Sequence, residues 1–173
     1  MAHELEPSRA TLLAALEESR EAVRRAVQGV ADWDAGRYEQ GWNAFQILAH
    51  IAAIEWTYPR LFTVVEAPPP TDAAASGRAA TPPTREMRGG NDAYNARQIA
   101  KRAGRGVADL LAEFEANRAE TIVAVEIVSA DLLARPLRSA GGATGSLAAV
   151  LHQVAIRHVL AHAEDLARSP RAK

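Results

Sequence analysis

"APPPTDAAASGRAATPPTREMRGG", residues 67–90, is the stretch on which the fold turns. Proline, alanine and glycine dominate it, and no helical or alternating apolar period runs through it. It reads as a long mobile connection. A structureless segment of that length is unusual inside a compact domain. Two long helices lying parallel side by side would require one, because the chain must travel back along the whole bundle, ~35 Å for a helix of ~23 residues. The helices that flank 67–90 are therefore expected to run parallel.

Upstream, Leu12, Leu16, Val23, Val27 and Val30 recur at helical spacing between Ser8 and Ala31, with Glu17, Glu21, Arg24 and Arg25 opposite them. Ser8 is the expected N-cap. The segment "GWNAFQILAHIAAIEW", residues 41–56, opens a second helix. Asn43 and Gln46 have the spacing of a capping box, and Trp42 and Ile47 that of a hydrophobic staple. Ile47, Ile51, Ile54, Tyr58, Leu61 and Val65 make its inward stripe. Pro59 lacks a backbone donor and is expected to kink this helix or mark its last turns.

Downstream, "NDAYNARQIAKRA" (91–103) has helical character and "GRG" (104–106) interrupts it. Val107, Leu110, Leu111, Phe114, Ile122, Val125 and Val128 then carry a third long helix. "LARPLRSAGGATG" (133–145) reads as a loop, and Ser146 caps a last helix that runs to about Arg168. No strand stands out. The expected fold is all-α, a four-helix bundle forming a single domain over residues 1–173, with 169–173 as a tail.

Composition narrows the function. The chain has 173 residues, 48% hydrophobic and only 5% aromatic, which suits helices packed by small aliphatic side chains. Its 20 basic and 21 acidic residues leave a net charge of −1, so no basic excess drives nucleic-acid binding. The cluster Arg85, Arg88, Arg97, Lys101, Arg102 and Arg105 reads as a solvated helix face and loop. There is no cysteine, which excludes disulfides, thiolate ligands and a cysteine nucleophile. The N-terminal residues lack the apolar region of a signal peptide, and no run approaches membrane-spanning length. A cytoplasmic protein with no membrane partner is expected.

Five histidines remain to be placed: His3, His50, His152, His158 and His162. His3 falls in the N-terminal tail. In "IRHVLAHAEDLAR" (156–168), His158 and His162 lie four apart, about 40° from one another on an α-helix, and share a face with Leu147, Leu151, Val154, Ala155 and Leu166. Two imidazoles at adjacent core positions carry a desolvation cost that leucine would avoid. A divalent metal would offset it, and so would ordinary hydrogen bonds in a helical core. The pair is not the metalloprotease HExxH, because Val159 stands where glutamate would act as base. His50, beside Ile47 and Ile54, is a candidate third ligand or a core-edge histidine. His152 points to the side and suits a rim position. Asp165 shares the histidines' face, either to orient an imidazole, as a fourth ligand, or as a surface carboxylate. Trp42, Trp56 and Tyr58 are candidates for a pocket wall or for the core.

The order "GW", "ILAHIAAIE", a long loop, "NDAYNARQ" and "HVLAHAEDL" resembles the DinB-like superfamily over roughly residues 8–168. That superfamily includes the metal-binding N-terminal domain of mycothiol-dependent maleylpyruvate isomerases. The resemblance implies a four-helix bundle of up-down-down-up topology, with a divalent metal, nickel or zinc, held by His50, His158 and His162. It further implies a small-molecule substrate and thiol-transferase or isomerase chemistry with a low-molecular-weight thiol such as mycothiol or bacillithiol. "NDAYNARQ" followed by "VADLLAEFEANRAETI" is also similar to the ClbS/DfsB-type bundle proteins, which would imply a protective or ligand-binding module without metal catalysis. Helical members of such families often pair through bundle faces, so a homodimer is a further expectation.

Overall fold

A computed structural model describes residues 6–36, 38, 41–67 and 90–169. The crossover 68–89, with Arg85 and Arg88, lies outside the described residues, as do His3 and residues 170–173.

The first long helix, α1 (Arg9–Gly29), starts where the sequence places its cap: the Ser8 hydroxyl accepts from the Thr11 amide at 3.1 Å. Its buried face is Leu12, Leu16, Ser19, Val23 and Ala26. The second is α2 (Ala44–Glu55), and its capping box is complete. The Gln46 amide donates to the Asn43 side chain and the Asn43 amide to the Gln46 side chain, both at 2.9 Å. Asn43→Ala should lower stability by about 1 kcal/mol, read as an earlier urea midpoint with an unchanged slope.

Pro59 ends α2 and begins α3 (Pro59–Glu66) at its first turn. Proline has no N–H to offer the Glu55 carbonyl, which instead accepts from the Tyr58 amide at 3.1 Å. Of the expected inward stripe, Ile47, Ile51, Tyr58 and Val65 are buried, while Ile54 and Leu61 are only half-buried because they face a cavity.

After 68–89 come α4 (Gly90–Ala100) and the third long helix, α5 (Val107–Ile127). A short α6 (Ala130–Leu133) leads into the segment read as a loop, which contains two strands, β1 (Pro136–Arg138) and β2 (Thr144–Ser146). They pair antiparallel with Leu137 opposite Gly145. This hairpin corrects the expectation of no strand. Burial of Leu137, 1% exposed, anchors it to the core. Its turn closes through Gly142, at φ 93°, a left-handed conformation that glycine adopts without steric cost. The fourth long helix has three parts: α7 (Leu147–Leu151), a wide π turn (His152–Arg157) and α8 (His158–Ala167). Ser146 caps it, accepting from the Ala149 amide at 3.0 Å.

Side-chain contacts fix the directions. Arg9 reaches the Val128 carbonyl, Ser19 accepts from Arg118, and Arg24 pairs with Glu115, so α1 and α5 are antiparallel. Glu55 meets Arg118, and ten residues later the Val65 carbonyl accepts from Arg135, so the second and third long helices are parallel. Tyr58 bonds to Val154 while Trp42 lies near His162, so the second and fourth are antiparallel. Ser146 bonds to Glu6 at one end and Ser169 to Tyr38 at the other, so the first and fourth are parallel. The bundle is up-down-down-up, as the resemblance implied, and its parallel second and third helices are those expected from the length of 67–90. Ser169, placed by the sequence at the start of a tail, is instead buried on Tyr38.

At the α1–α5 seam, Glu115 accepts from Arg20 at 2.5 Å and from Arg24 at 2.6 Å. Partial burial pushes the Glu115 carboxyl up, but the hydrogen bonds from Arg24 and Arg20 outweigh it and hold it below the usual carboxylate range. A depressed folded pKa gives stability that is complete above the ordinary glutamate value and fades as pH falls through the folded one. Glu115→Gln should therefore flatten the acid limb of the stability curve between about pH 5 and pH 3, measured by urea unfolding. Nearby, Arg102 and Arg105 both pair with Glu113, so part of the basic cluster is neutralised within its own helical hairpin.

Candidate metal centre

Two helices bring three histidines together. His50 is carried in the middle of α2, where Leu48, Ala49, Ile51 and Ala52 are fully buried. His158 is the first residue of α8 and His162 lies one turn on. Because the second and fourth helices are antiparallel, the middle of α2 faces the start of α8. One ring nitrogen from each of His50, His158 and His162 lies within 4.8 Å of the other two. The ring centroids are 5.4 Å (His50–His158), 5.0 Å (His50–His162) and 4.5 Å (His158–His162) apart. Trp42 covers one side, its ring 4.7 Å from that of His50.

The donor set fits a cation. The Nε2 atoms of His158 and His162 stand 3.1 Å apart, against ~3.3 Å for two imidazole nitrogens on one tetrahedral ion at ~2.0 Å. The other nitrogen of the His162 ring, Nδ1, is buried without a hydrogen-bond partner, as is the His50 Nδ1. Burial first, and then repulsion from His162 and His158, push the His50 imidazole down to about 2. Burial likewise lowers His162, against an opposing pull from Asp165. Both rings are thus neutral at neutral pH, the form in which imidazole binds metal. Asp165 does not join the cluster. Its carboxylate lies 3.6 Å from His162 Nδ1, too far for a hydrogen bond, and pairs with Arg168. His152 lies half-buried in the π turn, outside the cluster.

The histidines open on one side to a cavity of about 780 Å³. His50 and His158 form part of its floor, and Ile54, Leu61, Val64, Leu137 and Val154 give it apolar walls. Trp56 and Tyr58 also line it, while Arg60, Arg138, Asn91, Asn95 and Gln153 supply polar groups. Such a mixture suits a small molecule with a polar periphery. Among the described residues no helix is long and apolar enough to cross a membrane.

Sequence reading missed a second buried cluster one turn and a half along α2. Glu55 and Arg118 are both fully buried and joined at 2.9 Å, with Ser19 and Thr121 completing the group. The signal was present: Glu55 follows Ile51, and Arg118 follows Phe114, at the four-residue spacing of the core stripe.

The mycothiol-S-transferase family model matches residues 11–168. No curated protein matches the chain by sequence. Among solved structures, a mycothiol-dependent maleylpyruvate isomerase superposes with a TM-score of 0.69 at 18% identity, over 96% of this chain and 63% of the other. The chain thus spans less than two thirds of that protein's length. YfiT from Bacillus subtilis, described as "a probable metal-dependent hydrolase with an unusual four-helix bundle topology", superposes at 0.65 with 17% identity, over 97% of this chain and 89% of its own. At these identities the likeness is one of fold.

Proposed function

The chain belongs to the mycothiol-S-transferase family, and we propose that it is a divalent-metal-dependent enzyme that transfers a low-molecular-weight thiol of the mycothiol type to a small electrophile. His50, His158 and His162 hold the cation, nickel or zinc. The observation that carries this reading is the convergence of three imidazoles within 4.8 Å, two of which, His50 and His158, line a cavity, in a chain without cysteine.

A cation bound there would supply Lewis acidity, lowering the pKa of a thiol or water or polarising a carbonyl. The chain's own residues do the rest. Three protein ligands leave a coordination position facing the cavity, as catalytic sites require and closed structural sites do not. With no thiol of its own, the chain must take its sulfur nucleophile from a second molecule in that cavity. Ile54, Leu61, Val64 and Leu137 exclude water from the reacting atoms, and the amides of Asn91, Asn95 and Gln153 are placed to orient hydroxyl-rich or amide-bearing groups.

The experiment has two arms. Tag-free protein is analysed for bound metal, and loss of free thiol from mycothiol with a haloarene acceptor is followed with and without protein. About one equivalent of metal and a clear acceleration are expected. Less than about a tenth of an equivalent, with none taken up on titration, would sink the metal reading. A thiol-consumption rate equal to the protein-free rate would sink the transferase reading.

A further inference from the structure

The π turn at His152–Arg157 immediately precedes the two histidines of the fourth helix. In a continuous α-helix the His158 amide would donate to the Val154 carbonyl; here it reaches back one residue further, to Gln153. The Val154 carbonyl, on a half-buried residue beside the cavity, is left without its normal donor. It is satisfied from outside its helix: the Tyr58 hydroxyl donates to it at 2.6 Å. The next carbonyl, Ala155, accepts from Arg118 at 2.9 Å. Both donors are buried, Tyr58 at 4% exposure and Arg118 at 0%. Tyr58 is held by the Pro59 break between α2 and α3, and Arg118 by α5. Two other parts of the bundle therefore clamp consecutive carbonyls of this one wide turn.

We propose that Tyr58, assisted by Arg118, is a positioning residue of the three-histidine centre. Its hydroxyl stabilises the wide turn, and the wide turn sets the rotation of α8 that aims His158 and His162 at His50. The metal-binding role of this aim rests on the function proposed above. Without the hydroxyl, the cheapest way to satisfy Val154 is to return the His158 amide to it. The buried Val159, Ala163 and Leu166 hold the rest of α8 in the core, so the adjustment falls on the first turn of α8 and moves His158 relative to His50.

Tyr58→Phe removes the hydroxyl and keeps the ring. Two measurements on the full chain follow its effect, with Ser8→Ala as a control that costs about 1 kcal/mol at a distant cap. In metal-free protein, the ¹⁵N-detected imidazole resonances of His158 and His162 should shift in Tyr58→Phe and not in Ser8→Ala. In zinc competition against a chromophoric chelator, Tyr58→Phe should bind about 10- to 100-fold more weakly, with Ser8→Ala unchanged. Should Tyr58→Phe fail to fold, Arg118→Lys, whose single ammonium cannot span Ser19, Glu55 and the Ala155 carbonyl together as the guanidinium does, should move the same resonances. Imidazole spectra that superimpose on the wild type, or wild-type zinc affinity in Tyr58→Phe, would overturn the proposal. A wild type that takes up no zinc would instead overturn the proposed function, while the metal-free spectra still decide whether Tyr58 aims the histidines.

Discussion

His162→Ala should purify folded and nearly free of metal, with less than about a tenth of an equivalent where the wild type carries about one, and with zinc affinity reduced at least ~100-fold. Three donors close around a cation only if all three are present, and His162 is the most enclosed of the fourth-helix pair, 3% exposed. The fold should behave differently from the site. His162 buries an Nδ1 without a hydrogen-bond partner, so alanine removes an unfavourable group together with its packing. Metal-free His162→Ala is therefore expected to unfold within about 1 kcal/mol of metal-free wild type. Saturating zinc, present at ~100 times its dissociation constant, should add about 2.7 kcal/mol to the wild type and nothing to the variant. Thermal unfolding with and without zinc checks both. A variant that keeps its metal would remove His162 from the ligand set.

The second large effect lies in the buried ion pair. Arg118→Met should destabilise the protein by about 3–5 kcal/mol, a fall in Tm of roughly 10 °C for a chain of this size. Methionine fills the volume but leaves the Glu55 carboxylate uncompensated at 0% exposure. Burial already pushes that carboxyl up, and Arg118 is the charge that pulls it back. Ser19 and the Ala155 carbonyl lose a donor in the same step. The paired change Glu55→Leu with Arg118→Met should recover most of the loss, because removing both charges also removes the desolvation cost. If Arg118→Met alone unfolds at the wild-type temperature, the pair contributes nothing to stability.

Much of this was legible along the chain. Ser8, Asn43 with Gln46, and Ser146 each mark a helix start by a side chain that bonds three residues away, a purely local event. The length of 67–90 pointed to a parallel pair of helices, because such a pair needs a connection that spans the bundle. Helical periodicity placed His158 and His162 on one inward face and left His50 a candidate, and the resemblance to DinB-like proteins named the three together. The β1–β2 hairpin was not legible: Leu137 is a lone apolar residue in a polar segment, and only the core that receives it makes the strand.

Local pattern in the chain establishes four long helices with their N-caps, and places His158 and His162 on one inward face. The tertiary structure decided the π turn before His158, the Glu55–Arg118 pair and the cavity beside His50. Local periodicity records which residues are buried on average over a turn. It cannot record whether a given carbonyl is satisfied by its own helix or by Tyr58 and Arg118 reaching in from others, and on that choice depends where His158 and His162 point.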